Sequence, residues 1–145
     1  MLHKYCVSFA VLMAGVLALA SASASANEQQ DKAAPSLSGT WQLQGGEPKI
    51  EFSGKDAMKI YPHGENQVVI VVCQYTVEKK GLVKAKIIEL DGTEEGKAKA
   101  KQVIPVGLEF NFKWTAKGDV ATLEDVTGKN VDPLKGHLEG KYDKK

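Results

Sequence analysis

The chain contains no arginine; all 19 of its basic residues are lysine. Arginine is the usual bidentate reader of phosphate, carboxylate and guanine, so its absence argues against a dedicated phosphate or DNA reader. Cysteine is almost as scarce. Cys6 lies near the N-terminus and Cys73 stands alone further on, so a framework of intramolecular disulfides is excluded. Charge of one sign is lacking too. Against the lysines stand 18 acids, and a balanced chain steers itself neither to nucleic acid nor to an anionic membrane surface. No Gly-x-Ser-x-Gly elbow is present, and no glycine-rich loop leads into a helix to cradle a phosphate.

Long apolar runs are confined to the start. Lys4 precedes the apolar and small stretch from Val7 to Ala20, Ala24-Ser25-Ala26 offers a small-x-small cleavage site, and polar Asn27-Glu28-Gln29-Gln30 follows. This is the pattern of an export signal cut after Ala26, and it predicts a secreted or periplasmic protein. Cys6 sits ahead of the apolar run rather than at the cleavage point, which speaks against a lipoprotein anchor. No other stretch approaches the ~20 apolar residues that a spanning helix needs, so no stable membrane insertion is expected after cleavage. The remaining chain of about 119 residues is one domain by size. Residues 27–36, polar and ending near Pro35, read as a flexible lead-in, and residues 37–145 as the folded domain.

From Leu37 onward, apolar residues recur with period two, the signature of half-buried strands. Leu37, Gly39, Trp41 and Leu43 share one face. Ile50 and Phe52 follow, then Met58 and Ile60, then the long run Val69, Val71, Cys73, Tyr75 and Val77, then Val83, Ala85 and Ile87. The clearest alternation is Val106, Leu108, Phe110, Phe112 and Trp114. Val120 to Val126 has a weaker pattern, and Leu134, Leu138 and Tyr142 read as a last strand. Gly, Pro, Asn and Asp clusters punctuate the runs as turns. Residues 94–102 (EEGKAKAKQ) fit an edge strand, a short helix or a loop, and Gly96 with the lack of large apolar residues favours loop or edge. Val68, Ile70 and Val72 make the start of the longest run apolar on both faces, so something is expected to cover it: the lead-in or a partner. These strands predict an all-β fold, a single up-and-down antiparallel barrel of about eight strands, because closure removes sheet edges. A two-sheet sandwich is the alternative.

The first strand carries Gly39-Thr40-Trp41 within a Leu-x-Gly-Thr-Trp-x-Leu segment, and the end of the chain carries Leu138-Glu139-Gly140-Lys141-Tyr142. In these features residues 37–144 resemble the small exported lipocalin-like (calycin-type) barrels of bacteria. The resemblance implies a barrel whose base is closed by Trp41, with Gly39 as its structural companion, and a small apolar ligand as the class of guest. The basic residue that packs on this tryptophan in many lipocalins is often arginine, which this chain lacks; their disulfides and C-terminal helix are not evident here either.

Candidate chemistry is sparse. His63 and His137 fall on different elements without ligand spacing, and Glu89, Asp91, Glu94 and Glu95 surround a turn without calcium-loop spacing; no metal or cofactor is expected. Glu109 and Glu124 read as outward and solvated rather than as a catalytic pair. Cys73 reads as a small buried hydrophobe without a neighbouring positive charge. No catalytic residue emerges, and a non-enzymatic protein is expected. The inward aromatics Phe52, Tyr75, Phe110, Phe112 and Trp114 are the candidate ligand contacts. They serve equally well as core, since an eight-stranded barrel either fills with side chains or holds one small ligand. The other functional class is a protein-interaction or inhibitor-type envelope module with a packed barrel.

Overall fold

The structure is a computed structural model that describes residues 37–145. The export signal, Cys6 and the lead-in of residues 27–36 lie outside the described residues. Eight strands run in chain order: β1 (Gly39–Leu43), β2 (Lys49–Ser53), β3 (Ala57–Tyr61), β4 (Val69–Val77), β5 (Leu82–Gly92), β6 (Glu109–Lys117), β7 (Val120–Gly128) and β8 (Gly140–Lys144). Two α-helices interrupt them, α1 (Glu94–Val103) between β5 and β6 and α2 (Asp132–Leu138) between β7 and β8, and a short 3-10 turn, Lys79–Gly81, joins β4 to β5. Each strand pairs antiparallel with the next, and β8 returns to β1, closing the barrel. Trp41 lies opposite Lys144 and Leu43 opposite Tyr142 at the closing seam. The expected up-and-down barrel is therefore present, and the sandwich is not.

Period two is broken at two places, each for a local reason. The β4–β5 register shifts so that Val72 faces Glu89 and Cys73 faces Ile87, leaving Ile88 as the extra residue. In β7, Asp125 has a φ of 57°, and the register against β6 slips beside it. Leu123 and Val126 are then both buried, three residues apart. A bulge of this kind makes a strand look weak in sequence while its residues still pack. The Val126 N–H left over at the bulge donates to the Glu139 carboxylate at 2.9 Å.

Two segments differ from their expected form. Residues 94–103 are a helix, not a loop or edge strand. The Thr93 hydroxyl accepts from the Gly96 N–H at 3.1 Å, the N-cap contact that starts a helix. Glu94 and Glu95 occupy the first turn, where the helix dipole favours acids. Glu94–Lys97 and Glu95–Lys99 pairs at 2.6 Å staple the outer face. Leu134 and Leu138 belong to α2 rather than to a last strand; their spacing of four is one helical turn, and Pro133 sits at its start.

The doubly apolar start of β4 is covered mainly by its own chain. Val69, Ile70 and Val71 are buried, Val72 is half-buried, and only Val68 stays exposed. The Thr93 N–H and hydroxyl both donate to the Val68 carbonyl. Gly96 brings α1 so close that a Cβ there would overlap that carbonyl oxygen.

Candidate functional site

The barrel interior is built from one side of every strand. Phe52, Tyr75, Phe110, Phe112 and Trp114 all point inward and are buried, with Trp41 and Tyr142 beside them. They touch one another rather than lining a space. Trp114 stands edge-to-face with Trp41 at 5.3 Å between centroids and with Phe52 at 5.2 Å, and it meets Tyr142 at 5.7 Å. Phe52 also stands edge-to-face with Tyr75 at 5.3 Å, and Phe110 stacks on Phe112 at 6.0 Å. These separations are those at which aromatic pairs attract beyond their buried area. Aliphatic residues Ile50, Met58, Ile60, Val83, Ile87 and Leu123, each at most 1% exposed, occupy the rest.

Both ends of the barrel are stoppered. At the end where the chain enters, the Trp41 indole N–H donates to the Leu37 carbonyl at 3.0 Å, and the Lys144 ammonium lies 5.6 Å from the Trp41 ring centre. At that distance the ammonium makes a cation–π contact with the indole. Gly39 makes room for it: a Cβ at that position would stand 3.1 Å from the Lys144 Cε. At the opposite end α2 joins β7 to β8 and buries Leu134 and Leu138, with Val131 and Ile104 buried as well.

Interior polar atoms are few. The Tyr142 hydroxyl donates to the Leu138 carbonyl at 2.6 Å, and burial raises its pKa strongly. Burial pushes the Cys73 thiol up to about 12. Protonated and fully enclosed, it behaves as a small hydrophobe rather than a nucleophile. Tyr75 is raised by burial first and then by the Asp56 carboxylate. Among the described residues the Trp114 indole N–H is the one buried side-chain polar atom without a hydrogen-bond partner. Such a donor costs roughly 1–3 kcal/mol.

The remaining candidates lie outside the barrel. His63 faces Glu47 at 3.7 Å in a turn, His137 is exposed on α2, and no group of three His, Cys, Asp or Glu side chains able to hold a metal occurs among the described residues. Glu109 and Glu124 point outward, paired with Lys86 at 3.4 Å and Lys113 at 3.1 Å. Three of the four acids around the β5–α1 turn are committed locally: Asp91 accepts from the Gly92 N–H, and Glu94 and Glu95 hold lysines of α1.

One external feature escaped the reading of the sequence. A lane of about 290 Å³ crosses the outer face of β4, β5 and β6, walled by Gln74, Thr76, Lys84, Lys86, Glu109 and Asn111. Register builds it. Thr76, Lys84 and Asn111 are cross-strand neighbours in one row, and Gln74, Lys86 and Glu109 in the next. Tyr75 and Ala85 lie between the rows and turn their side chains inward, so the floor is backbone. The alternation alone marks each of these six as outward; only the pairing register shows that they converge. A wider hollow of about 460 Å³ lies beside Gln42, Glu47, His63 and Glu65, at the turns that follow β1 and β3.

Comparison with known protein families, curated proteins and solved structures finds no match for this chain.

Proposed function

We propose that the protein is an exported, non-enzymatic, lipocalin-like barrel that binds through its outer face, with the interior serving as core. The observation that carries this reading is the interlocked aromatic cluster around Trp114 between two stoppered ends. A ligand pocket needs a concave space lined by apolar groups; here the candidate contacts are spent on each other. The Gly39-Thr40-Trp41 segment, with Lys144 packed on its tryptophan, supports the lipocalin-like assignment. The Val7–Ala20 run and the Ala24-Ser25-Ala26 site support export. The test is native mass spectrometry of the protein taken from its own exported fraction. The mass of the bare chain from Asn27 is expected. An adduct released on denaturation would replace this reading with that of a carrier.

One observation favours the carrier. The unpaired Trp114 N–H would welcome an acceptor oxygen on a small apolar guest, with Phe52 and Trp41 against its rings. On that reading the adduct is present in the wild type and weakened in Trp114→Phe, which keeps an aromatic ring and removes the donor.

A further inference from the structure

We propose that the lane across the outer face of β4, β5 and β6 binds a neutral, hydroxyl-rich glycan chain. This rests on the reading that the outer face does the binding, and it names the chemistry of the partner. Each lysine in the two walls already has an acid: Lys84 pairs with Glu78 at 2.6 Å, and Lys86 with Glu109 at 3.4 Å. The charges of the walls are therefore paired, and Asp56 beside Gln74 is the one further acid at the lane, which leaves nothing to draw an anion. Its walls set polar heads on the apolar stems of Lys84, Lys86 and Thr76, so a guest that carries both hydroxyls and C–H faces matches the lane better than a wholly apolar one. What the walls do offer is hydrogen bonding without net charge. The Thr76 hydroxyl and the Asn111 carboxamide have no side-chain partner among the described residues, and the Gln74 carboxamide makes only a 3.4 Å contact to Asp56. Carboxamides and hydroxyls both donate and accept, as sugar hydroxyls do.

An extended peptide is the competing neutral chain, and topology disfavours it. A peptide gains affinity on a sheet by adding a strand to an open edge. Here β4, β5 and β6 are each paired on both sides, and the lane runs across the strands rather than along them. The main-chain groups that would hold a peptide are already in the barrel ladder. A glycan needs only side-chain contacts and can cross the rows.

The experiment is an NMR titration of the isotopically labelled exported chain. Cellohexaose and chitohexaose are the neutral probes, hexagalacturonate the anionic one, and an unstructured Ala-Ser peptide the polypeptide one. Saturable shifts at Gln74, Thr76, Lys84, Lys86 and Asn111 with a neutral probe are expected, including the side-chain carboxamide signals of Gln74 and Asn111. One hydrogen bond is worth about fivefold in affinity. Asn111→Ala and Gln74→Ala, one from each wall, should therefore each weaken binding by roughly that factor while the melting temperature stays unchanged. The proposal is overturned if neither neutral probe shifts these signals up to about 10 mM, where even weak binding registers. It is equally overturned if the shifts fall elsewhere, or if hexagalacturonate or the peptide binds the lane in their place. Silence from the sugars alongside a bare native mass removes the glycan and leaves the outer-face reading standing. A guest found inside the barrel removes that reading itself.

Discussion

At the scale of single residues, the interior is governed by how few polar atoms it admits and how each is held. Tyr142 and Trp114 are neighbours in the same cluster, yet one has its partner and the other does not. Removing the Tyr142 hydroxyl leaves the Leu138 carbonyl without its 2.6 Å donor in a site that water does not reach. Tyr142→Phe should therefore lower stability by about 1–2 kcal/mol, read as a reduced denaturant midpoint with an unchanged slope. A neutral result would mean that the hydroxyl is not the tie between β8 and α2. Cys73 makes the opposite point. Its neighbours in sequence, Val71, Val72 and Tyr75, mark it as one more inward hydrophobe, and its full burial with a raised pKa agrees.

At the scale of elements, two glycines inside helices have opposite meanings, and the contrast is testable. In a helix interior, replacing Gly by Ala ordinarily stabilises by up to about 1 kcal/mol. Gly136, in α2, has open space where a Cβ would go, so Gly136→Ala should gain that amount. Gly96, in α1, lies on the Val68 carbonyl, and a methyl there must push the helix off the barrel. Gly96→Ala should cost about 1–3 kcal/mol, the range for overpacking, despite its better helix propensity. Thermal melts of the two variants should move in opposite directions; a stabilised Gly96→Ala would mean that α1 does not rest on β4. The same pair explains where the sequence was legible. Strands β1 to β6 could be read, because each alternates Trp, Phe, Ile or Val against polar residues and ends in a turn signal, whereas β7 showed a weaker pattern and β8 was joined in the reading to residues of α2. Residues 94–103 misled because Gly96 argued for a loop, when its smallness is what lets the helix dock. Leu134 and Leu138 misled because a spacing of four satisfies period two as well as period 3.6, so they read as one strand with Tyr142, which alone of the three lies in β8. For the candidate site, the inward direction of Phe52, Tyr75, Phe110, Phe112 and Trp114 was legible. Their mutual contact was not, since it depends on barrel radius and register. The outer lane stayed invisible for the same reason.

At the scale of the whole molecule, a filled barrel should respond to alkali as a unit. The groups concerned are acids that burial in the fold holds neutral. In an unfolded chain Cys73 would ionise near its ordinary value of 9.0, and the tyrosines near 10.0. In the folded barrel the Cys73 thiol is pushed up to about 12 by burial. The Tyr61 phenol, on the outer side of β3, is also pushed up to about 12, by burial first and then by its hydrogen bond to Glu51. Burial raises Tyr142 as well. Between the two sets of values the folded chain holds protons that the unfolded chain has lost. Stability must then fall as pH rises. It is fully present below about pH 9, declines once the unfolded thiol and phenols ionise, and is lost as the folded values near 12 are passed. The measurement is a melting temperature at stepwise pH, with tyrosinate absorbance and near-ultraviolet circular dichroism followed together. A flat melting temperature to about pH 9 and a steepening loss above it are expected, with tyrosinate appearing as the aromatic dichroism collapses. Cys73→Ala should move the onset toward pH 10, because it removes the group with the lowest unfolded value. Interior tyrosines that titrate smoothly near 10 while the dichroism stays intact would show solvent reaching them in the native barrel. The packed interior would then be wrong, and with it the claim that this protein binds on its outside.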